Sequence, residues 1–342
     1  MNKIETFNST KFVTGLRAYA ALSVYLIHSG GFGLREMSVF TNRIVDFGKY
    51  GVTVFFVLSA FTICMSIDRL NKFEIKNYLI RRFFRVAPLY YVILIIAFLL
   101  GGNDYYLKLY NVENNFSSLL LHFSFLNVFT YKYQNNIIGL EWTVPIEFFY
   151  YLIIPFVFFY YNKTNRIIIG FLVSSILTLF ASVIYQYFFS QLFFNWSIFK
   201  YVFSFNFGIL IYILFKKNIL VSTKDNNLIL ILLFLILGIY IVFDFDYKDL
   251  FVTIFTGILI LLFQNESKIK EMFFENRIIL FLGKISYSIY LIHFLFFYHL
   301  KNYLYSNNPI FILSLVIVSS TISYYLIEKP FINLSSKIIN NK

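Results

Sequence analysis

Apolar residues in this chain come in long runs, several of them near 18–22 residues, separated by short polar stretches, and a helix of ~20 residues is what crosses the ~30 Å hydrocarbon core of a bilayer. Ten such runs are read at 12–30, 48–67, 83–101, 143–161, 167–189, 197–215, 227–243, 249–264, 281–300 and 309–327. An eleventh, 117–129, is too short to span and is expected to lie in the interface or re-enter. The pattern predicts an all-α fold, a polytopic membrane bundle of about ten transmembrane helices. No Pro/Gly/Ser-rich linker, low-complexity tail or internal repeat divides residues 1–342, so a single domain is expected. The stretch 102–142 is the one long interval not read as spanning and is expected outside, where it could help form a lid or vestibule.

Composition agrees. The chain is 59% hydrophobic, 22% aromatic and only 13% charged, against roughly 25% charged in soluble domains. A net charge of +12 raises the question of nucleic acid, which placement answers. With the N-terminus inside, nineteen of the 29 Lys and Arg fall on the inner side, among them Lys3, Arg166, Lys224 and Lys342, and eight outside, among them Lys301. This is the positive-inside bias. It predicts a multi-pass protein of the inner (plasma) membrane with both termini cytoplasmic and no nucleic-acid partner. The first run follows eleven mostly polar residues, contains Arg17 and His28, and lacks a small-residue cleavage site, so it is expected to stay as a helix. The single cysteine, Cys64, excludes an internal disulfide framework or a multi-cysteine metal site; apolar neighbours make it a packing residue.

Ionisable groups inside spans are costly and call for a reason. Arg17 and His28 lie eleven residues apart, which at 100° per residue is three turns plus about 20°, placing them on one stripe ~16 Å apart along the axis. Each taken alone reads as a snorkelling arginine or a packing histidine; the shared stripe suggests that both line one cavity. Glu147 follows Pro145 in the segment Glu141-Trp142-Thr143-Val144-Pro145-Ile146-Glu147. Pro145 suits a first helical turn, and Glu147 would sit at about the depth of His28, as a structural pair or as a base and its orienting group. Arg81, Arg82 and Arg85, before Pro88, are either a topology anchor or an anion site suited to phosphate. Gly48 and Gly51 most simply mark close helix packing. Ser286, Tyr287, Tyr290 and His293 read physically as helix-packing polar residues.

Taken together and in order, these segments resemble the acyltransferase 3 family over residues ~10–331. The resemblance runs through Gly15-Leu16-Arg17-Ala18 and His28, Gly48 to Phe61, Arg82-Phe83-Phe84-Arg85 with Pro88, Trp142 and Glu147-Phe148-Phe149-Tyr150. It closes on Leu282 to His293 and Ile327-Glu328-Lys329-Pro330. Two positions depart from the family pattern: Ser59-Ala60 stands for Ser-Gly, and Thr53 for a frequent acid. The resemblance implies transfer of acetyl, or another short acyl group, from acetyl-CoA or another acyl-CoA to a hydroxyl of a glycan or lipid-linked glycan, without a metal. The chain is similar to the stand-alone group of the family, so no esterase-like domain is expected. It implies His28 and Glu147 as catalytic, and Arg17, Arg82 and Arg85 toward CoA. Trp142, Tyr150, Ser286, Tyr287 and His293 would lie toward the acceptor. A transporter or flippase for a glycan or lipid-linked precursor would use the same buried charges, but would not require these ordered motifs.

Overall fold

The computed structural model describes residues 10–70, 72–164, 167–188, 191–217, 226–300, 304 and 308–340. Lys3, Arg166, Lys224, Lys301 and Lys342, which enter the charge count above, lie outside the described residues. Among those described, regular structure is helical and no strand occurs, as the all-α expectation has it. Helices overlap all ten predicted runs. Only six described helices are long and apolar enough to cross a membrane, and a bent pair makes seven at most.

Among the described residues the count of ten is therefore not confirmed, and three of the four runs that fall short do so for local physical reasons. The helix Lys248–Leu262 has 15 residues, short of the length a bilayer asks. The helix Lys11–His28 spends Lys11, Arg17 and His28 within its 18 residues. The run 281–300 is two helices, Arg277–Lys284 and Ser286–His299, bent by 61° at Ile285.

Other boundaries moved because helix and hydropathy are different signals. The third run begins as a helix at Ile75, eight residues before the apolar stretch. Arg81, Arg82 and Arg85 are thus helical, and Pro88 sits inside the helix rather than in its first turns. The last run starts where expected. Asn308 caps it by accepting from the Ile310 N–H at 2.9 Å, and Pro309 occupies a first-turn position where its missing N–H costs nothing. It then continues through a π-turn at Tyr324–Glu328 into Lys329–Asn340.

The chain forms two compact units interleaved in sequence. The first comprises Met1–Met65, Tyr160–Phe171 and Phe203–Tyr287. Its closest packing runs through glycine: a Cβ on Gly283 would fall 2.0 Å from the Thr14 carbonyl oxygen, and one on Gly15 2.0 Å from that of Phe274. The close approach expected of Gly48 and Gly51 is present, against the carbonyls of Ser23 and Ala20 at 2.3 and 2.4 Å. Ala60, the extra methyl in the second motif, is matched by Gly208, whose added Cβ would lie 2.7 Å from it.

The second unit comprises Ser66–Phe159, Leu172–Val202 and Ser288–Lys342. Ile75–Leu99 packs along Lys329–Asn340. Phe125 stacks on Tyr90 and on Phe148, with ring centres 5.6 and 4.3 Å apart. The interval 102–142 folds as two short helices, Asp104–Tyr110 and Phe116–Phe123, followed by 3-10 turns.

Candidate functional site

In the second unit the basic segment lines a cavity of about 310 Å³. Lys72, Arg81, Arg82 and Arg85 contribute four positive side chains to its wall against the one carboxylate of Glu74, with Ser335 of the Lys329–Asn340 helix also on the wall. Such a wall favours an anion, and guanidinium groups favour one with planar or tetrahedral oxygens, as in phosphate.

Arg82 is held from several sides. Its Nη2 donates to Ser66 Oγ at 2.5 Å. Its guanidinium carbon lies 5.4 Å from the ring centre of Tyr78 and 5.6 Å from that of Tyr151, within cation–π range. Tyr151 follows Glu147 by one turn on the Thr143–Thr164 helix. Arg85 acts electrostatically on Glu328, a buried carboxylate that accepts from Ser288 Oγ.

Arg17 and His28 belong to the first unit. Arg17 is half-buried, and its Nη2 donates to Thr62 Oγ1 at 3.1 Å. His28 is the last residue of its helix and is followed by Gly30–Gly33, a turn in which all four residues have positive φ, Phe32 included. Thr53, where an acid was expected from the resemblance, donates to Asp249 Oδ1 at 2.7 Å. A neighbouring helix supplies the carboxylate.

The remaining expected positions engage the protein's own groups. Trp142 stacks on Tyr201 with centres 5.7 Å apart, and Tyr150 Oη donates to the Ile198 carbonyl at 2.6 Å. Ser286 Oγ donates to the Gly283 carbonyl at 2.9 Å. Tyr287 is half-buried beside it. His293, fully buried, bonds through Nδ1 to the Ile289 carbonyl at 2.9 Å.

Sequence reasoning missed a polar core beneath 102–142. Glu141, fully buried, accepts from the N–H groups of Ile137, Ile138 and Gly139 at 2.8, 3.1 and 2.5 Å. His122, equally buried, places Nε2 3.4 Å from the same carboxylate, with Nδ1 bonded to the Ser118 carbonyl at 2.7 Å. The usable signal was Glu141 itself, an acid next to a motif tryptophan.

An acyltransferase-domain family model, Acyl_transf_3, matches residues 10–328. The chain belongs to the acyltransferase 3 family. It is also 28% identical, over 297 residues, to a protein of Acidianus two-tailed virus named "Putative acetyltransferase ORF330", covering 83% of this chain and 82% of the viral one. No solved structure matches it at a significant level. The protein is therefore a membrane acyltransferase.

Proposed function

We propose that this acyltransferase moves an acetyl or other short acyl group from acyl-CoA to a hydroxyl of a cell-envelope glycan such as O-antigen, capsule or exopolysaccharide. It would do so in the inner membrane, with both termini cytoplasmic. The observation that carries the donor assignment is the cavity with Arg81, Arg82 and Arg85 on its wall: a CoA donor presents phosphates, and this wall presents guanidinium groups. Arg17 would also meet the donor, as the resemblance implies.

His28 takes the hydroxyl proton as the oxygen attacks the acyl carbon. A C–O bond forms, the thioester C–S bond breaks, and the imidazolium returns its proton to the leaving thiolate. The same residue can instead accept the acyl group and pass it on. Either route gives His28→Ala the same expected outcome: a protein that inserts and accumulates but transfers no acyl group. Mass spectrometry of surface glycans, comparing a deletion strain complemented with wild type or His28→Ala, reads this. Acyl groups restored by both genes would sink the role of His28, and glycans lost from the surface without a change in acylation would sink the transferase reading of the acceptor.

A further inference from the structure

Lys72 and Glu74 meet on the wall of the arginine cavity, with Nζ and Oε1 3.4 Å apart. We infer that Lys72 is a further anion-binding residue of this cavity, which Glu74 holds back until an anion arrives. The inference rests on the reading of the cavity as the donor site.

Glu74 is the one carboxylate on this wall, against four cations. It precedes Ile75–Leu99 as the N-cap residue, a place from which a side chain commonly accepts from the first N–H groups, yet it makes no such bond. Its Oε2 accepts instead from Asn77 Nδ2 at 2.6 Å, and its Oε1 meets Lys72. The carboxylate is thus a tethered anion on a wall that favours anions. It neutralises one of the cations there.

The cation it neutralises is the one most able to move. Arg82 is fixed by Ser66 Oγ and two tyrosine rings. Lys72 has a side chain 85% exposed and carries a compact charge on a flexible stem. Its distance from Glu74 exceeds the ~2.7–3.2 Å of a direct hydrogen bond, and an exposed pair of this kind holds weakly. A phosphate group seated among the guanidinium groups offers Lys72 several charged oxygens in place of one exposed carboxylate. The exchange leaves Glu74 its bond to Asn77, so neither group loses every partner. Until the exchange, Glu74 lowers the affinity of the cavity for anions.

The test uses the full-length protein in nanodiscs. Exposed lysines are labelled with trinitrobenzenesulfonate, an amine-selective reagent, and located by peptide mass spectrometry. With CoA or inorganic pyrophosphate present, labelling of Lys72 should fall severalfold relative to Lys76, which is not among the residues of the wall. CoA binding is then compared for Glu74→Gln, Lys72→Gln and the double variant. Glu74→Gln should bind about two- to fivefold more tightly than wild type, and Lys72→Gln more weakly by a similar factor, the scale of one exposed ion pair. Both effects should shrink as salt is added. In the double variant the gain should be largely lost, because no lysine is left to release. A Glu74 that acts by repulsion alone would give the same gain with and without Lys72, and that result overturns the holding role. A pair that serves only the fold would lower the thermal midpoint in either variant and leave affinity and protection unchanged, which overturns the inference as a whole. So does the absence of protection by either probe. Should pyrophosphate protect Lys72 while CoA does not bind, the donor reading falls and the anion site stands.

Discussion

A carboxylate buried without water must find every hydrogen bond from the protein, and Glu141 finds three in consecutive backbone N–H groups. That arrangement fixes the chain reversal at Ile137–Gly139, where Gly139 adopts φ of 113°, a conformation that side chains with a Cβ rarely take. Glu141→Gln keeps the shape but turns an amide NH₂ toward donors. The expected cost is about 1.5–3 kcal/mol, the range for hydrogen bonds to a charged group, seen as a lowered midpoint of unfolding for the purified protein. A Gln variant as stable as wild type would show that the carboxylate does not hold this turn. Residue type alone does not announce such a role. The Gln134-Asn135-Asn136 run ahead of Glu141 has the composition of a solvated loop, yet all three are fully buried. The neighbouring Tyr150 and Tyr151 make the same point: both lie at helical spacing from Glu147, and only side-chain packing separates a tyrosine bonded to the Ile198 carbonyl from one beside Arg82.

Helices were legible wherever apolar length was the signal, and less so wherever charge or a break interrupted it. The first turns of Ile75–Leu99 carry Lys76, Arg81 and Arg82, so a hydropathy reading begins late. The bend at Ile285 falls within a run whose apolar content continues across it. Helix-to-helix contact was legible where it depended on glycine. Gly283, whose Cβ would meet the Thr14 carbonyl oxygen at 2.0 Å, sits where Arg277–Lys284 packs along Lys11–His28. Backbone cannot retreat as a side-chain tip can, so Gly283→Ala must push the two helices apart. A destabilisation of about 1–3 kcal/mol is expected for overpacking of this kind, measured as a lower thermal midpoint and a smaller monodisperse fraction. Gly238→Ala is the control: nothing lies within 4 Å of its added Cβ, and alanine favours a helix interior by roughly 0.5–1 kcal/mol. Equal midpoints for the two variants would remove the close-packing argument.

At the scale of the molecule the question is which solvent the outer faces meet. Asn226–Phe243 has only 11% of its apolar stretch buried, with Leu228, Ile231, Leu232, Leu235, Ile236 and Ile239 each about half exposed or more. In water so continuous an apolar face would be an aggregation surface; in hydrocarbon it costs nothing, because lipid is as apolar as leucine. The two solvents make opposite claims on one substitution. Leu235 is near the middle of the helix and 57% exposed. If that face met water, Leu235→Lys would change stability by no more than about 0.5 kcal/mol and would improve solubility. In the bilayer, a lysine at the centre of a helix costs about 2.5–3.5 kcal/mol on insertion scales, reduced to the extent that the side chain reaches the interface. Leu235→Lys should therefore deplete the membrane fraction and raise protease sensitivity in intact membranes, whereas Leu235→Ala at the same site should accumulate near wild-type level. Wild-type abundance for the lysine variant would place this helix out of the hydrocarbon core. It would also reduce the crossing helices to those whose apolar faces are more covered by protein, and the topology behind the cytoplasmic placement of the termini would have to be redrawn from that count.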